Sequence, residues 1–155
     1  MIGIVRGDAM SNANTALCRR FYDEVWNGRS LAAIAALVAP DYVSHDPNSP
    51  DFGRGPDACR AEIGYYLAAF PDLRIGIEEI VAEADRVAVR WVARGTQRGK
   101  LGSIAPTGRA VTVTGTTIWR IADGRLASSH TNFDALGLFQ QLGILQRPAA
   151  EGATA

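Results

Sequence analysis

What the sequence has little of narrows it first. Neither sign of charge clusters: sixteen basic and sixteen acidic residues cancel to a formal net charge of zero. With no run of five like charges, the electrostatic footprint of a nucleic-acid binder is missing. Long apolar runs are absent too. The longest nearly uncharged stretch, Ser30 to Pro40, is about half the ~20 residues a membrane span requires. The apolar opening from Met1 to Val5 meets Arg6 and Asp8 before a signal-peptide core of roughly 7–15 residues can form. A cytoplasmic protein without a membrane or nucleic-acid partner is expected. The two cysteines, Cys18 and Cys59, lie in predicted helices with no second Cys or His at ligand spacing, which reads as free thiols in a reducing compartment. Two histidines without a His-x-His or Glu-x-x-His spacing predict no metal. Gly99 to Gly108 lacks both the Lys-Ser/Thr ending and the strand-to-helix context of a phosphate loop, so no nucleotide cofactor is expected either.

What is present is an ordinary globular composition, 47% apolar and 21% charged over 155 residues. A chain of this length can bury about 70% of the surface its unfolded form exposes, so its core suffices without staples. Leu17, Phe21, Val25 and Trp26 recur at helical spacing and predict a helix over Ser11 to Asn27, stopped at Asn27-Gly28. Met10 is a candidate start, which would set residues 1–9 apart as an extension; the expected organisation is a disordered extension over 1–10, a single domain over 11–146 and a disordered tail over 147–155. Ser30 caps a second, shorter helix to Val38, ended by Pro40. Asp41 to His45 reads as extended, and Asp46 to Gly55 as a loop rich in Pro, Gly and Asp. Pro56 opens a third helix to about Phe70, with Cys59, Ile63, Tyr66, Leu67 and Phe70 on one stripe.

From Leu73 the period falls from 3.6 to 2, through Leu73-Ile75-Ile77, Val87-Val89-Trp91 and Val111-Val113 to Ile118 and Ile121. Asp123-Gly124 marks a hairpin, read as a three-residue loop with Gly124 left-handed. Residues 95–109, with their glycines, form a loop long enough to be a mobile flap at a pocket mouth. Leu136 to Leu145 closes the chain as a helix. Helices ahead of a run of antiparallel strands indicate an α+β domain, and a curved sheet wrapped over helices would enclose a pocket.

On the last strand His130, Asn132 and Asp134 share one face, and Thr112, Thr114 and Thr116 line up beside them. This polar strip is a solvated surface or, on a concave face, an acid/base site; Thr131 and Phe133 opposite leave the choice open. His130 could orient Asp134 or be a satisfied core histidine, and His45 is a cavity group or a structural partner of the following loop. Trp26, Tyr42, Tyr65, Tyr66, Phe70, Trp91 and Trp119 supply aromatic surface for core or for stacking on a planar substrate. Arg90 is an exposed strand charge or, if buried, an oxyanion partner.

The segment Asn132-Phe133-Asp134-Ala135-Leu136-Gly137-Leu138-Phe139-Gln140-Gln141-Leu142-Gly143 resembles the C-terminal part of SnoaL-like polyketide cyclases, of the nuclear transport factor 2-like superfamily. Phe21-Tyr22, Trp26-Asn27, Tyr42-Val43-Ser44-His45-Asp46-Pro47, Phe70-Pro71-Asp72, Pro106-Thr107-Gly108-Arg109 and Trp119-Arg120-Ile121-Ala122-Asp123-Gly124 agree, so that the resemblance runs in order over roughly residues 14–145. It implies a cone-shaped α+β barrel, nuclear transport factor 2-like or cystatin-like, in which a curved antiparallel sheet wraps N-terminal helices around a blind cavity. A homo-oligomer, a dimer through the sheet, goes with that fold. It also implies cofactor-independent ring closure of a polyketide-like intermediate by intramolecular aldol condensation, as in antibiotic biosynthesis. Asp134 would be the acid/base, facing the cavity with a raised pKa, while His45, His130 and Asn132 hold enolate oxygens. Trp26, Tyr42, Tyr66, Phe70, Trp91 and Thr116 would bind the substrate. Hydroxylation, epoxide opening and non-catalytic ligand binding are the alternatives within the superfamily; an epoxide hydrolase would need an Asp-Arg-Asp arrangement, for which Asp134 and Arg90 find no clear second Asp.

Overall fold

The computed structural model describes residues 5–146. Helix α1 (Val5–Arg20) continues into a π-helical turn (Phe21–Asn27). A 3-10 turn (Leu31–Ala33) and the single-turn α2 (Ile34–Leu37) then lead into β1 (Val38–His45). After a loop come α3 (Gly55–Ala69), β2 (Arg74–Glu83), β3 (Arg86–Thr96), β4 (Ala110–Ala122), β5 (Arg125–Phe133) and α4 (Ala135–Gln141). Helix α1 starts at Val5 rather than Ser11; residues 1–4 and the tail expected over 147–155 lie outside the described residues. The second helix is shorter than its apolar pattern suggests because β1 begins at Val38, ahead of Pro40. Proline is tolerated there because β1 is the sheet's edge strand.

The strands form one curved sheet in the order β1-β5-β4-β3-β2. The pairs β2–β3, β3–β4 and β4–β5 are antiparallel, but β1 runs parallel to β5, a departure from the expected wholly antiparallel sheet. Strands so far apart in the chain are joined by a long crossover, which frees them from the antiparallel direction a hairpin imposes. The Asp123-Gly124 turn is tighter than expected. Ala122 pairs with Arg125, and both central residues are left-handed, at φ 50° and 69°. This is the two-residue loop whose twist matches the strands it joins. Among the described helices, none is long and apolar enough to cross a membrane.

Alternation along the strands sends one face inward. Val87, Val89 and Trp91 of β3, then Val111, Val113, Thr117 and Trp119 of β4, are buried against Phe21, Val25, Ile34, Leu37, Cys59 and Ile63 from the helices. Two residues fasten the first helix to the sheet. The Asn27 amide donates to the Ile75 carbonyl at 2.8 Å and accepts from its N–H at 2.9 Å, standing in for a neighbouring strand. Arg29, left-handed at φ 61°, turns its guanidinium onto the carbonyls of Pro71 (3.0 Å) and Leu73 (2.7 Å). These bonds hold the wide π-turn against β2, and that turn delivers Phe21, Tyr22 and Trp26 to the concave side.

Candidate active site

The concave face of the sheet, the π-turn and α3 enclose a cavity of about 120 Å³. Of the aromatic residues singled out in the sequence, Trp26, Tyr42, Tyr66, Phe70, Trp91 and Trp119 line it, whereas Tyr65 does not. Trp91 fits because its neighbour across the ladder is Gly115: a Cβ there would stand 2.3 Å from the indole ring. The indole thereby lies over β4 and donates to Thr117 Oγ1 at 3.0 Å, and that hydroxyl bonds Thr131 Oγ1 at 3.0 Å.

At the mouth the wall turns polar. Tyr42 Oη and Ser129 Oγ are bonded at 2.8 Å, Ser129 Oγ donates to Ser44 Oγ at 3.4 Å, and Ser44 Oγ donates to Glu62 Oε1 at 3.0 Å. Beside this chain Tyr66 Oη bonds Ser49 Oγ at 2.6 Å, and Ser49 donates to Asp46 Oδ2 at 3.1 Å. Glu62 is the residue that sequence reasoning missed. Burial pushes its carboxyl up to about 7, partly opposed by the Ser44 hydrogen bond and aided by the nearby Asp46 charge. Desolvation acts against the ionised form, which is how a carboxyl is brought to the range where it both takes and returns a proton. The signal was present: Glu62 follows Cys59 by three residues and precedes Tyr66 by four on the stripe predicted to face the core.

The polar strip of β5 lies on the other side of the sheet. Asp134 is exposed and does not line the cavity. It is the N-cap of α4, its carboxylate accepting from the Gly137 N–H at 2.8 Å. The carboxylate folds so closely over Gly137 that a Cβ there would fall 2.0 Å from it, a geometry that serves the helix end. The expectation that Asp134 faces an internal cavity is therefore corrected. Thr116 and Asn132 pair across the ladder as expected, but both are exposed on the outer face, so Thr116 is no cavity group. His45 and His130 are also exposed; their rings stack with centroids 4.3 Å apart and planes at 17°. Desolvation, His45 and Arg86 hold His130 below its ordinary pKa. With Asn132 the two histidines border an outer depression of about 550 Å³ that shares Tyr42, Ser44, Asp46, Glu62 and Thr131 with the inner cavity. Arg90 is a surface charge, paired with Glu78 and with Glu79 at 2.6 and 2.9 Å.

The 95–109 loop is not the open flap its glycines suggested. Its Gln97 is fully buried, donating to the carbonyls of Gly99 and Ala105 at 3.2 Å and accepting from the Thr107 hydroxyl at 2.7 Å. The N–H groups of Arg98 and Gly99 reach the Ala69 carbonyl at the end of α3, and none of residues 97–109 lines the cavity. Cys18 and Cys59 are free and buried, and burial pushes both thiols up to about 12. Among the described residues no group of three or more His, Cys, Asp or Glu side chains is placed to hold a metal ion.

A curved sheet folded over helices around an aromatic cavity with a half-buried carboxyl in its wall defines an α+β protein of the nuclear transport factor 2-like class. Within it the chain belongs to the SnoaL-like polyketide cyclases, whose family model matches residues 16–142. Among solved structures, TsrD from Streptomyces laurentii is 28% identical with a TM-score of 0.77, the match covering 86% of this chain and 97% of that one. A candidate polyketide cyclase from Acidithiobacillus ferrooxidans is 26% identical at a TM-score of 0.77, covering 92% and 98%. AclR from Streptomyces galilaeus, a candidate hydroxylase, is 27% identical at 0.74, covering 90% and 87%. No curated protein matches the chain.

Proposed function

We propose that the chain is a cofactor-independent enzyme that closes a ring in a polyketide-like polycarbonyl molecule by intramolecular aldol condensation, with Glu62 as general acid/base. The observation that carries this reading is a carboxyl brought to about 7 in the wall of an otherwise largely apolar cavity. The Glu62 carboxylate takes a proton from a methylene flanked by two carbonyls. The enolate carbon attacks a second ketone carbon of the same molecule, forming the new C–C bond as the carbonyl π pair moves onto oxygen. That alkoxide recovers the proton from Glu62, and no redox partner is needed. Stacking aromatics enforce the folded substrate geometry. Ser44 holds the carboxylate in place through its hydrogen bond. His45, His130 and Asn132 meet the substrate at the outer depression and contribute to its capture rather than to proton transfer. The enzyme works in the cytoplasm, and a second copy of the chain covers the outer sheet face.

The test follows ring formation from a panel of β-polycarbonyl compounds. Glu62→Gln is expected to lower kcat by ~10²–10⁴-fold, the usual contribution of one positioned acid/base, with binding retained. Undiminished turnover in this variant would remove the assignment. The likeness to AclR favours one second reading, hydroxylation of an aromatic polyketide. Product formation that requires dioxygen would select it over ring closure.

A further inference from the structure

Glu62 stands at a junction between two spaces. The inner cavity of about 120 Å³ and the outer depression of about 550 Å³ share Ser44, Asp46 and Glu62 in their walls. The first alone falls below the roughly 300–1,000 Å³ of ordinary ligand pockets, and the second falls within that range. A ligand that reaches Glu62 and outgrows the cavity therefore continues into the depression. Strand ends create the passage. β1 stops at His45, opposite His130, while β5 runs on to Phe133. Past His45 the β1 strand no longer covers β5, so Thr131 lines both spaces and Asn132 beside it lines the outer one. The facing wall of this notch is the 46–53 loop, and it is fastened. Asp46 accepts from the Asn48 N–H at 2.8 Å and Asp51 from the Gly53 N–H at 2.8 Å. Ser49 is tied to Tyr66, and Phe52 packs on Tyr65 at 5.7 Å. Walls fixed before a ligand arrives lose little freedom on binding it.

We propose that the notch is a second subsite, continuous with the cavity, for an uncharged sugar-like tail on a ligand whose planar apolar head lies among the cavity aromatics. The inference rests on the reading of the cavity as a substrate site. Surface chemistry sets the class of tail. His45, His130 and Asn132 are exposed in the notch and supply donors and acceptors, while the Asp46 and Asp51 carboxylates keep lone pairs beyond those their backbone N–H partners use. A hydroxyl both donates and accepts, so a ring carrying several of them suits the whole set. Pro47, Pro50 and Phe52 add apolar surface for the C–H face of such a ring. Charge excludes an anionic tail. Asp46, Asp51 and Glu62 are the carboxyls of this lining, no Lys or Arg accompanies them there, and His130 is held below its ordinary pKa. A carboxylate placed here would meet negative charge with no fixed cation opposite.

The experiment uses the whole chain and three probes with one head: 2-methoxynaphthalene, 2-naphthyl β-D-glucopyranoside, and the corresponding glucuronide, whose carboxylate replaces the hydroxymethyl group. Dissociation constants are measured at neutral pH for the wild type, Asn132→Ala and Asp51→Asn, both changes at exposed side chains. The glucoside is expected to bind roughly 5- to 30-fold tighter than 2-methoxynaphthalene, the worth of about two hydrogen bonds, and roughly 5-fold or more tighter than the glucuronide. Asn132→Ala should narrow the first ratio and Asp51→Asn the second. The His130 ring resonances should move with the glucoside and stay with 2-methoxynaphthalene. A glucoside no tighter than 2-methoxynaphthalene, a glucuronide as tight as the glucoside, unmoved His130 resonances under saturating glucoside, ratios unchanged in both variants, or no binding of any probe would each overturn the proposal. Should a variant not fold, the wild-type affinities and resonances decide. Turnover enters none of these readouts, so loss of the Glu62 assignment, read from kcat, is told apart from loss of the notch, read from affinity ratios.

Discussion

Two carboxyl residues divide the chemistry differently from the way the chain order suggests. Asp134 sits in the segment that carries the family resemblance, yet its carboxylate caps α4. Asparagine caps as well as aspartate, so Asp134→Asn should keep both stability and turnover, while Asp134→Ala should lower stability by about 0.5–2 kcal/mol with turnover retained. Chemical denaturation and the ring-formation assay on both variants check this; a collapse of turnover in Asp134→Asn would return the acid/base role to it. Glu62 carries the opposite signature. Its folded-state pKa of about 7 stands above the ordinary carboxyl value of 4.5, so the folded state holds the proton more tightly than the unfolded chain. The stability this contributes is full below pH ~4.5 and is lost as pH rises toward and through 7. Glutamine mimics the protonated form. Glu62→Gln should therefore match the wild type near pH 5 and exceed it near pH 8, by on the order of 2–3 kcal/mol at most. Denaturation midpoints of the two proteins from pH 5 to 8 provide the check, and parallel curves would contradict the raised pKa.

At the scale of elements, much of the fold was legible because periodicity reports burial. The shift from 3.6 to 2 at Leu73 coincides with the start of β2 at Arg74, and the Pro56 helix stripe packs inward through Cys59 and Ile63. What periodicity could not give was the parity of β5. Its inward face carries Ser129 and Thr131, because that face is a cavity wall with its own hydroxyl network rather than a filled core. An inward face built from serine and threonine looks no more apolar than an outward one built from His130 and Asn132. The 95–109 loop misled for a related reason. Four glycines and a proline read as freedom, but the ordering comes from the single buried Gln97, whose amide satisfies backbone groups on both arms of the loop. The direction of β1 was equally invisible, since strand pairing between segments so far apart in the chain leaves no local mark.

The whole molecule offers one face that its own fold leaves uncovered. On the outer side of the sheet Ile118 is 45% exposed and Val81 68%, with Thr112, Thr114 and Thr116 in the open between β3 and β5. A second copy meeting this face would bury those apolar side chains, and the threonines there add no charge to desolvate. The acid/base group of the proposed reaction, Glu62, lines the cavity on the opposite face of the sheet, whereas Ile118 pairs across the ladder with His130 at the outer depression; proton transfer should therefore not need the second copy. The wild type is expected to sediment with twice the mass of the chain. Ile118→Arg, which plants a charge at the centre of the outer face, should shift it to the monomer while folding and turnover persist. Sedimentation equilibrium paired with the ring-formation assay makes the measurement. A monomeric wild type would remove the dimer, and a monomeric variant that folds but has lost turnover would show that the partner reaches the mouth at Glu62.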